Sequence, residues 1–419
     1  MSGWFEAARF GMFIHWGHSS QRGIELSWPM AVRSGSFGPA QTAELTVDEY
    51  HATARTFDPQ HWDARDLARR AKACGMQYGV FTTKHHDGFS MFHTTHSDFS
   101  IEHAPFRRDI VREYVDAFRA EGLRVGLYYS LSDWHHPDYP ALTEADKPYG
   151  VNRWPKAQPA TWERYLEFLF GQIRELLTNY GQIDLIWFDG GWERSPEQWR
   201  AAELAKMIRD LQPGIVMNNR LPGQGDYETP EQFVPPQPLA RPWETCMTLN
   251  ESWAWNPADT AWKSPRRLIH TLCEVAGKGG NLLLNVGPTG DGSLPQEAVE
   301  RLDAIAGWMA RNGESIAGTV PGLAPWQCYG PSTRRSSRVY VHLLMRPYDS
   351  VTLRGVRTRR LRTARALSTG EELRFTSRVG VIDAMFNPDP LGEITIETPA
   401  RIIDEHATVL ALDFEGEPA

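Results

Sequence analysis

The chain has 419 residues, more than one hydrophobic core usually carries unless the fold is a barrel, so one large domain with a smaller companion is expected. Its formal charge is −8, with 44 Lys and Arg interspersed among 52 Asp and Glu; no basic stripe tracks a phosphate backbone, and nucleic acid is not an expected partner. Cys74, Cys246, Cys273 and Cys328 lack the spacing of a disulfide framework or a zinc knuckle, and no apolar run is long enough to span a bilayer, so no membrane is expected either.

The N-terminus shows no basic region followed by an apolar core, so a cytoplasmic protein is expected unless a leader was trimmed. Short apolar, β-rich runs are predicted as strands at 10–15, 78–83, 124–130, 183–189, 215–218, 245–249 and 282–286. Between them run amphipathic helices. Thr161 precedes a long helical period, and Ser195-Pro196 and Ser264-Pro265 each pair an N-cap with Pro at the first helical position. Gly75, Gly122, Gly181 and Gly214 fall where such helices should stop.

Seven or eight βα units of this kind predict an α/β fold, a TIM-like (β/α)8 barrel over 1–320. An open doubly wound sheet would keep its chemistry at one switch point. Here His15, His85, Tyr129, Asp189, Arg220 and Glu244 all fall at or just beyond the C-terminal end of a predicted strand, as in a barrel active site. The stretches 131–160 and 221–243 are too long for simple connections and read as rim loops. After Pro321 alternating runs at 338–344, 350–353, 393–398 and 408–413 predict a C-terminal antiparallel β-sandwich over 321–419.

Sixteen tryptophans, several in loops beside Asp, Glu, Asn or His, suit the apolar face and hydroxyl rim of a sugar. In the run 183–189 a period of two puts Leu185, Trp187 and Asp189 on one face, a ring and a carboxylate together, with Gly190 and Gly191 freeing the backbone beyond. That arrangement suits a glycosidase nucleophile. A retaining enzyme needs a second carboxyl, and Glu228, Glu231, Glu244 and Glu251 are all available. His85 and His86, adjacent at a strand end, are expected to point to opposite sides, which favours hydroxyl binding over a shared metal unless the strand bends. The Gly-rich run 276–281 lacks phosphate-loop spacing.

Six stretches carry a family resemblance: Phe10-Gly11-Met12-Phe13-Ile14-His15-Trp16-Gly17, Lys84-His85-His86-Asp87-Gly88-Phe89, Gly126-Leu127-Tyr128-Tyr129-Ser130, Trp187-Phe188-Asp189-Gly190, Asn219-Arg220, and Asn281-Leu282-Leu283-Leu284-Asn285-Val286-Gly287-Pro288. In content and order the chain resembles the α-L-fucosidases of glycoside hydrolase family twenty-nine. The resemblance implies a barrel followed by a β-sandwich, retaining hydrolysis of terminal α-L-fucose from fucosylated glycans, and neither metal nor organic cofactor. It implies Asp189 as nucleophile and Glu231 as acid/base, with Glu244 in reserve. Fucose would be bound by His15, His85, His86, Tyr129, Trp187 and Arg220, with Trp253 against its methyl side. The chain departs from the family at Glu25-Leu26-Ser27-Trp28, where Glu25 and Trp28 are the candidates for hydroxyl and ring contacts. Two rival readings stand beside it: a metal-dependent barrel hydrolase using the histidines, and a non-catalytic glycan-binding protein on a glycosidase scaffold.

Overall fold

The computed structural model describes residues 3–31, 45–140 and 159–419, so most of the predicted rim loop at 131–160 lies outside the described residues. Seven strands form one parallel sheet: β1 (Phe10–Ile14), β2 (Tyr78–Lys84), β3 (Arg124–Ser130), β4 (Leu185–Asp189), β5 (Val216–Met217), β6 (Glu244–Thr248) and β7 (Asn281–Val286). Their order is β5-β4-β3-β2-β1-β7-β6. Each matches a predicted run.

Side chains alternate across the strands, so each strand feeds two cores. One face, with Phe10, Met12, Leu127, Tyr129 and Phe188, packs beneath the helices. The other gathers Phe13, Tyr78, Val80, Tyr128, Leu185, Trp187, Cys246 and Leu283 into a second cluster. The sheet must curl strongly to allow this. Strands β1 and β4 are three positions apart, about 14 Å in a flat sheet, yet the Phe13 and Trp187 rings lie 5.1 Å apart. An eighth strand is not present as an element among the described residues. In its place between β5 and β6 runs the segment 227–231, held by parallel bridges Asn218↔Tyr227, Glu228↔Trp243 and Glu231↔Cys246.

Helix signals were read correctly at Ser264, whose side chain accepts from Arg267 N with Pro265 opening the helix Pro265–Gly277. Gly75, Gly122, Gly181 and Gly214 all adopt positive φ, as helix stops require. Ser195-Pro196 is a correction. Its capping oxygen accepts from Gln198 N at 3.3 Å and closes a turn, pinned by Trp199 Nε1 donating to Gly191 O at 2.8 Å. The helix Ala201–Leu211 begins only after Arg200 at φ 48°.

The C-terminal part holds two antiparallel sheets. Five strands (Val320–Pro321, Ser332–Arg335, Arg338–Leu343, Leu361–Ala366, Thr408–Phe414) form one, and three (Ser350–Arg357, Phe375–Arg378, Leu391–Glu397) the other. Val339, Val341, Leu410 and Leu412 of the first share a core with Leu353, Ile394 and Ile396 of the second. The opposite face of the larger sheet meets the helices, where Trp308 Nε1 donates to Ala407 O at 2.8 Å.

Candidate active site

Asp189 is the last residue of β4, and the chain turns sharply beyond it. Gly190 has φ 72°, and a Cβ there would lie 2.3 Å from Ser132 Oγ; one on Gly191 would lie 2.0 Å from Arg220 O. Only glycines let these loops meet. The buried Asp189 carboxylate accepts from Arg220 Nη1 at 2.8 Å and from Tyr128 Oη at 2.9 Å. Burial works to raise its pKa, but Arg220, His86 and these hydrogen bonds outweigh it and hold the group below the usual carboxylate range.

Arg220 reaches a second carboxylate, donating Nη2 to Glu231 Oε2 at 2.5 Å. Its guanidinium lies over the Trp187 ring, 4.5 Å from the centroid. The Glu231 side chain is 39% exposed against 11% for Asp189, so one carboxyl is sheltered and the other is open to solvent. The bridged segment 227–231 delivers Glu231 to this position.

Around the pair stand aromatic rings. Tyr128 stacks on Trp187 at 5.6 Å and on His85 at 5.4 Å, and His15 packs against Trp253 at 4.7 Å. Trp28 meets His86 edge-on at 5.5 Å, Trp134 packs on His86 at 5.0 Å, and the two indoles touch each other at 5.6 Å. His85 and His86 do not diverge as expected. The register shifts between Thr82 and Lys84, the chain turns at His85, and the two rings come to 4.3 Å. Burial depresses all three histidines, His15 to about 3, His86 to about 4 and His85 well below its ordinary value, so they are neutral at pH 7.

Three expected ligand positions are corrected. Tyr129 lies on the outer face of β3: its hydroxyl donates to Gln172 Oε1 at 2.7 Å and Lys84 sits over its ring, so the inward residue is Tyr128. Glu244 opens β6 instead of ending it and is fully buried, accepting from Tyr78, from Trp187 Nε1 at 3.0 Å and from Tyr227 at 3.4 Å. It braces Trp187 from below and has no access to a leaving group. Glu25 spends its oxygens on the backbone N–H groups of Leu26, Trp253 and Ala254 at 2.7–2.9 Å, bracing the Trp253 loop.

Sequence reasoning missed Tyr128, Trp134, Ser27 and Asn285. Strand period marked the first: Tyr128 is in register with Trp187 across β3 and β4. The others lie in loops or act through a histidine, where no period applies.

His85, His86 and Asp189 also present one ligand atom each within 4.8 Å of one another, which could hold a metal ion. The donor set fits a cation poorly. Asp189 is already paired with the Arg220 guanidinium, and a divalent ion would sit beside that positive charge.

The family model described as Alpha-L-fucosidase matches residues 1–314. Tissue alpha-L-fucosidase of Homo sapiens is 31% identical over 378 residues, 83% of this chain and 76% of that protein. Alpha-L-fucosidase isoenzyme 1 from Paenibacillus thiaminolyticus superposes with TM-score 0.85 at 38% identity, covering 99% of this chain and 98% of that one. A family twenty-nine alpha-L-fucosidase from Bacteroides thetaiotaomicron, trapped as a covalent intermediate with 2-fluoro-fucosyl fluoride, aligns at TM-score 0.82 and 27% identity over 98% of this chain and 95% of that one. The six ordered motifs, the curled parallel sheet and these likenesses agree: the chain belongs to the alpha-L-fucosidase family, glycoside hydrolases that act with retention on fucosylated glycans.

Proposed function

We propose that Asp189 is the nucleophile and Glu231 the acid/base of retaining hydrolysis of terminal α-L-fucosides. The observation that carries this reading is the single guanidinium of Arg220 shared by both carboxylates at the C-terminal ends of the strands. Sharing one guanidinium makes the two carboxyls close neighbours, as a retaining pair about 5–5.5 Å apart requires. Asp189 attacks the anomeric carbon, the bond to the leaving oxygen breaks, and Glu231 gives that oxygen its proton. Water then attacks the fucosyl ester while Glu231 takes the water's proton, and fucose leaves with its original anomeric configuration.

Trp187 and Arg220 form the floor beneath the reacting carbon, and His15, His85 and His86 bind hydroxyls. Trp253 faces the methyl side, and Trp28 takes the ring contact at the departure from the family pattern. On the same reading the segment 227–231 is the eighth stave of a closed (β/α)8 barrel over 1–320, followed by a β-sandwich over 321–419.

The test is release of free fucose from an aryl α-L-fucoside and from 1,2-, 1,3-, 1,4- and 1,6-fucosylated oligosaccharides, with early proton NMR of the product. Wild type should release α-fucose first and Asp189→Ala almost none. First appearance of the β anomer, or an undiminished Asp189→Ala rate, would overturn the assignment.

A further inference from the structure

The three pocket histidines are each tied at Nδ1 to a different partner, and each partner's other hydrogen bonds decide which ring nitrogen carries the proton. His15 Nδ1 lies 2.7 Å from Asn285 Oδ1, and the same amide donates Nδ2 to Trp253 O at 2.7 Å. The oxygen end of Asn285 therefore faces His15. His15 must donate from Nδ1, leaving Nε2 a bare acceptor.

His86 Nδ1 lies 2.6 Å from Ser130 Oγ, and that hydroxyl lies 2.8 Å from Ser132 O. A carbonyl cannot donate, so the Ser130 proton goes to Ser132 and His86 again donates from Nδ1. Its Nε2 is buried and, among the described residues, makes no hydrogen bond, lying 3.6 Å from Asp189 Oδ2. A hydroxyl of a bound sugar would fill that gap as donor.

His85 is set differently. Ser27 Oγ lies 2.5 Å from His85 Nδ1 and accepts from Asp87 N at 2.9 Å. Among the described residues the Ser27 hydroxyl proton has no acceptor other than His85 Nδ1. The serine is fully buried and held at φ 64°, in the left-handed region. A closed circuit maintains it there: Ser27 N donates to Tyr50 Oη at 2.7 Å, Tyr50 donates to Asp87 Oδ2 at 2.9 Å, and Asp87 N returns to Ser27 Oγ.

We infer that Ser27 is a positioning residue that locks His85 as its Nε2–H tautomer, so the pocket meets the sugar with one imidazole donor and two imidazole acceptors. Adjacent rings of opposite polarity, His85 and His86, then bind a hydroxyl in one sense only: the oxygen accepts from His85 while its proton goes to His86. The inference rests on the sugar-pocket reading for what meets these nitrogens, and on the protein's own hydrogen bonds for the tautomers.

The experiment is nitrogen NMR of the full chain labelled with ¹⁵N-histidine, without sugar, at neutral pH, with signals assigned through single His→Gln variants. His85 is expected as Nε2–H and His15 and His86 as Nδ1–H. Ser27→Gly suits the positive φ and removes the hydroxyl, and Ser27→Ala removes the hydroxyl alone. Either should turn His85 toward a mixture of tautomers and lower kcat/KM for an aryl fucoside about tenfold, mainly through KM, the worth of one neutral hydrogen bond. A wild-type His85 found as Nδ1–H, or a tautomer unmoved in the folded Ser27→Gly protein, would overturn the inference. The expected tautomers in a protein that releases no fucose would support it and count instead against the sugar reading.

Discussion

Glu244→Gln should remove a pH-dependent cost of this fold. The carboxyl is enclosed by the curled sheet, and burial pushes its pKa from 4.5 to about 7 although Tyr78, Trp187 and Tyr227 all donate to it. In the unfolded chain it ionises above 4.5; in the folded protein it keeps its proton up to about pH 7. Across that window the folded state binds more protons, so stability falls as pH rises and levels off above pH 7. At about 1.4 kcal/mol per pH unit, the cost at neutral pH is about 3 kcal/mol. Glutamine keeps an acceptor for Trp187 Nε1 and cannot ionise. Glu25, raised to about 7, and Asp87, raised to about 6, titrate in the same direction, so the difference between wild type and variant isolates Glu244. Urea unfolding followed by tryptophan fluorescence at several pH values gives that difference. Relative to Glu244→Gln, wild type should lose about 3 kcal/mol between acidic and mildly alkaline pH. A difference that stays constant across the window would refute the reasoning.

Asp189→Gly should lower kcat by roughly 10⁴-fold or more, and azide, small enough for the vacated space, should restore part of the turnover as a fucosyl azide visible by mass spectrometry. Tyr128→Phe removes a hydrogen bond to the ionised Asp189 worth about 1.5–3 kcal/mol, so kcat/KM should fall about 10- to 100-fold. Losing that bond also raises the carboxylate's pKa, so the acidic limb of the kcat/KM profile should move to higher pH. Tyr129→Phe should cost about 1 kcal/mol of stability through Gln172 and leave kcat within a few-fold. Incubation with EDTA should leave aryl fucoside hydrolysis unchanged, since Arg220 occupies the place where a cation would neutralise Asp189.

What the sequence disclosed follows from how far its periodicities reach. Strands with apolar runs bounded by glycine could be located within one or two residues, whereas the Ser195-Pro196 signal preceded its helix by a full turn, and Asp189 was legible because period two put it on the same face as Trp187. The same rule would have selected Tyr128 over Tyr129, had the register of β3 against β4 been available. Glu244 was misplaced for a related reason. Polar residues mark both ends of a strand, and although the predicted run 245–249 starts just after Glu244, that residue was assigned to a C-terminal end; in the sheet it pairs with Asn281 and opens β6. His85 and His86 defeated alternation because the register shifts between Thr82 and Lys84 and the chain turns at His85, with Lys84 bridging to Ser90 beyond the turn. The strands Leu361–Ala366 and Phe375–Arg378 were hidden by arginines and threonines whose polar side chains sit on the partly exposed side of a two-layer sheet.

The neutrality of the three histidines is itself part of the chemistry. Glycoside cleavage builds positive charge on the anomeric carbon and ring oxygen. A protonated imidazole about 6 Å away, at an effective dielectric of about 20, would oppose that charge by about 3 kcal/mol, close to a hundredfold in rate. Among the described residues Arg220 is the one permanent cation paired with Asp189, and its charge is matched by two carboxylates. Burial keeps His15, His85 and His86 uncharged, so they can grip hydroxyls through lone pairs and N–H groups without adding charge to the pocket. Opening the pocket to water would undo this. A smaller residue at Trp134, which covers His86, should raise the pKa of His86 toward its ordinary value, since relieving burial favours the cation. Activity should then fall on acidification at a higher pH than in wild type, and an unchanged acidic limb in Trp134→Ala would show that neutrality of His86 does not govern the rate.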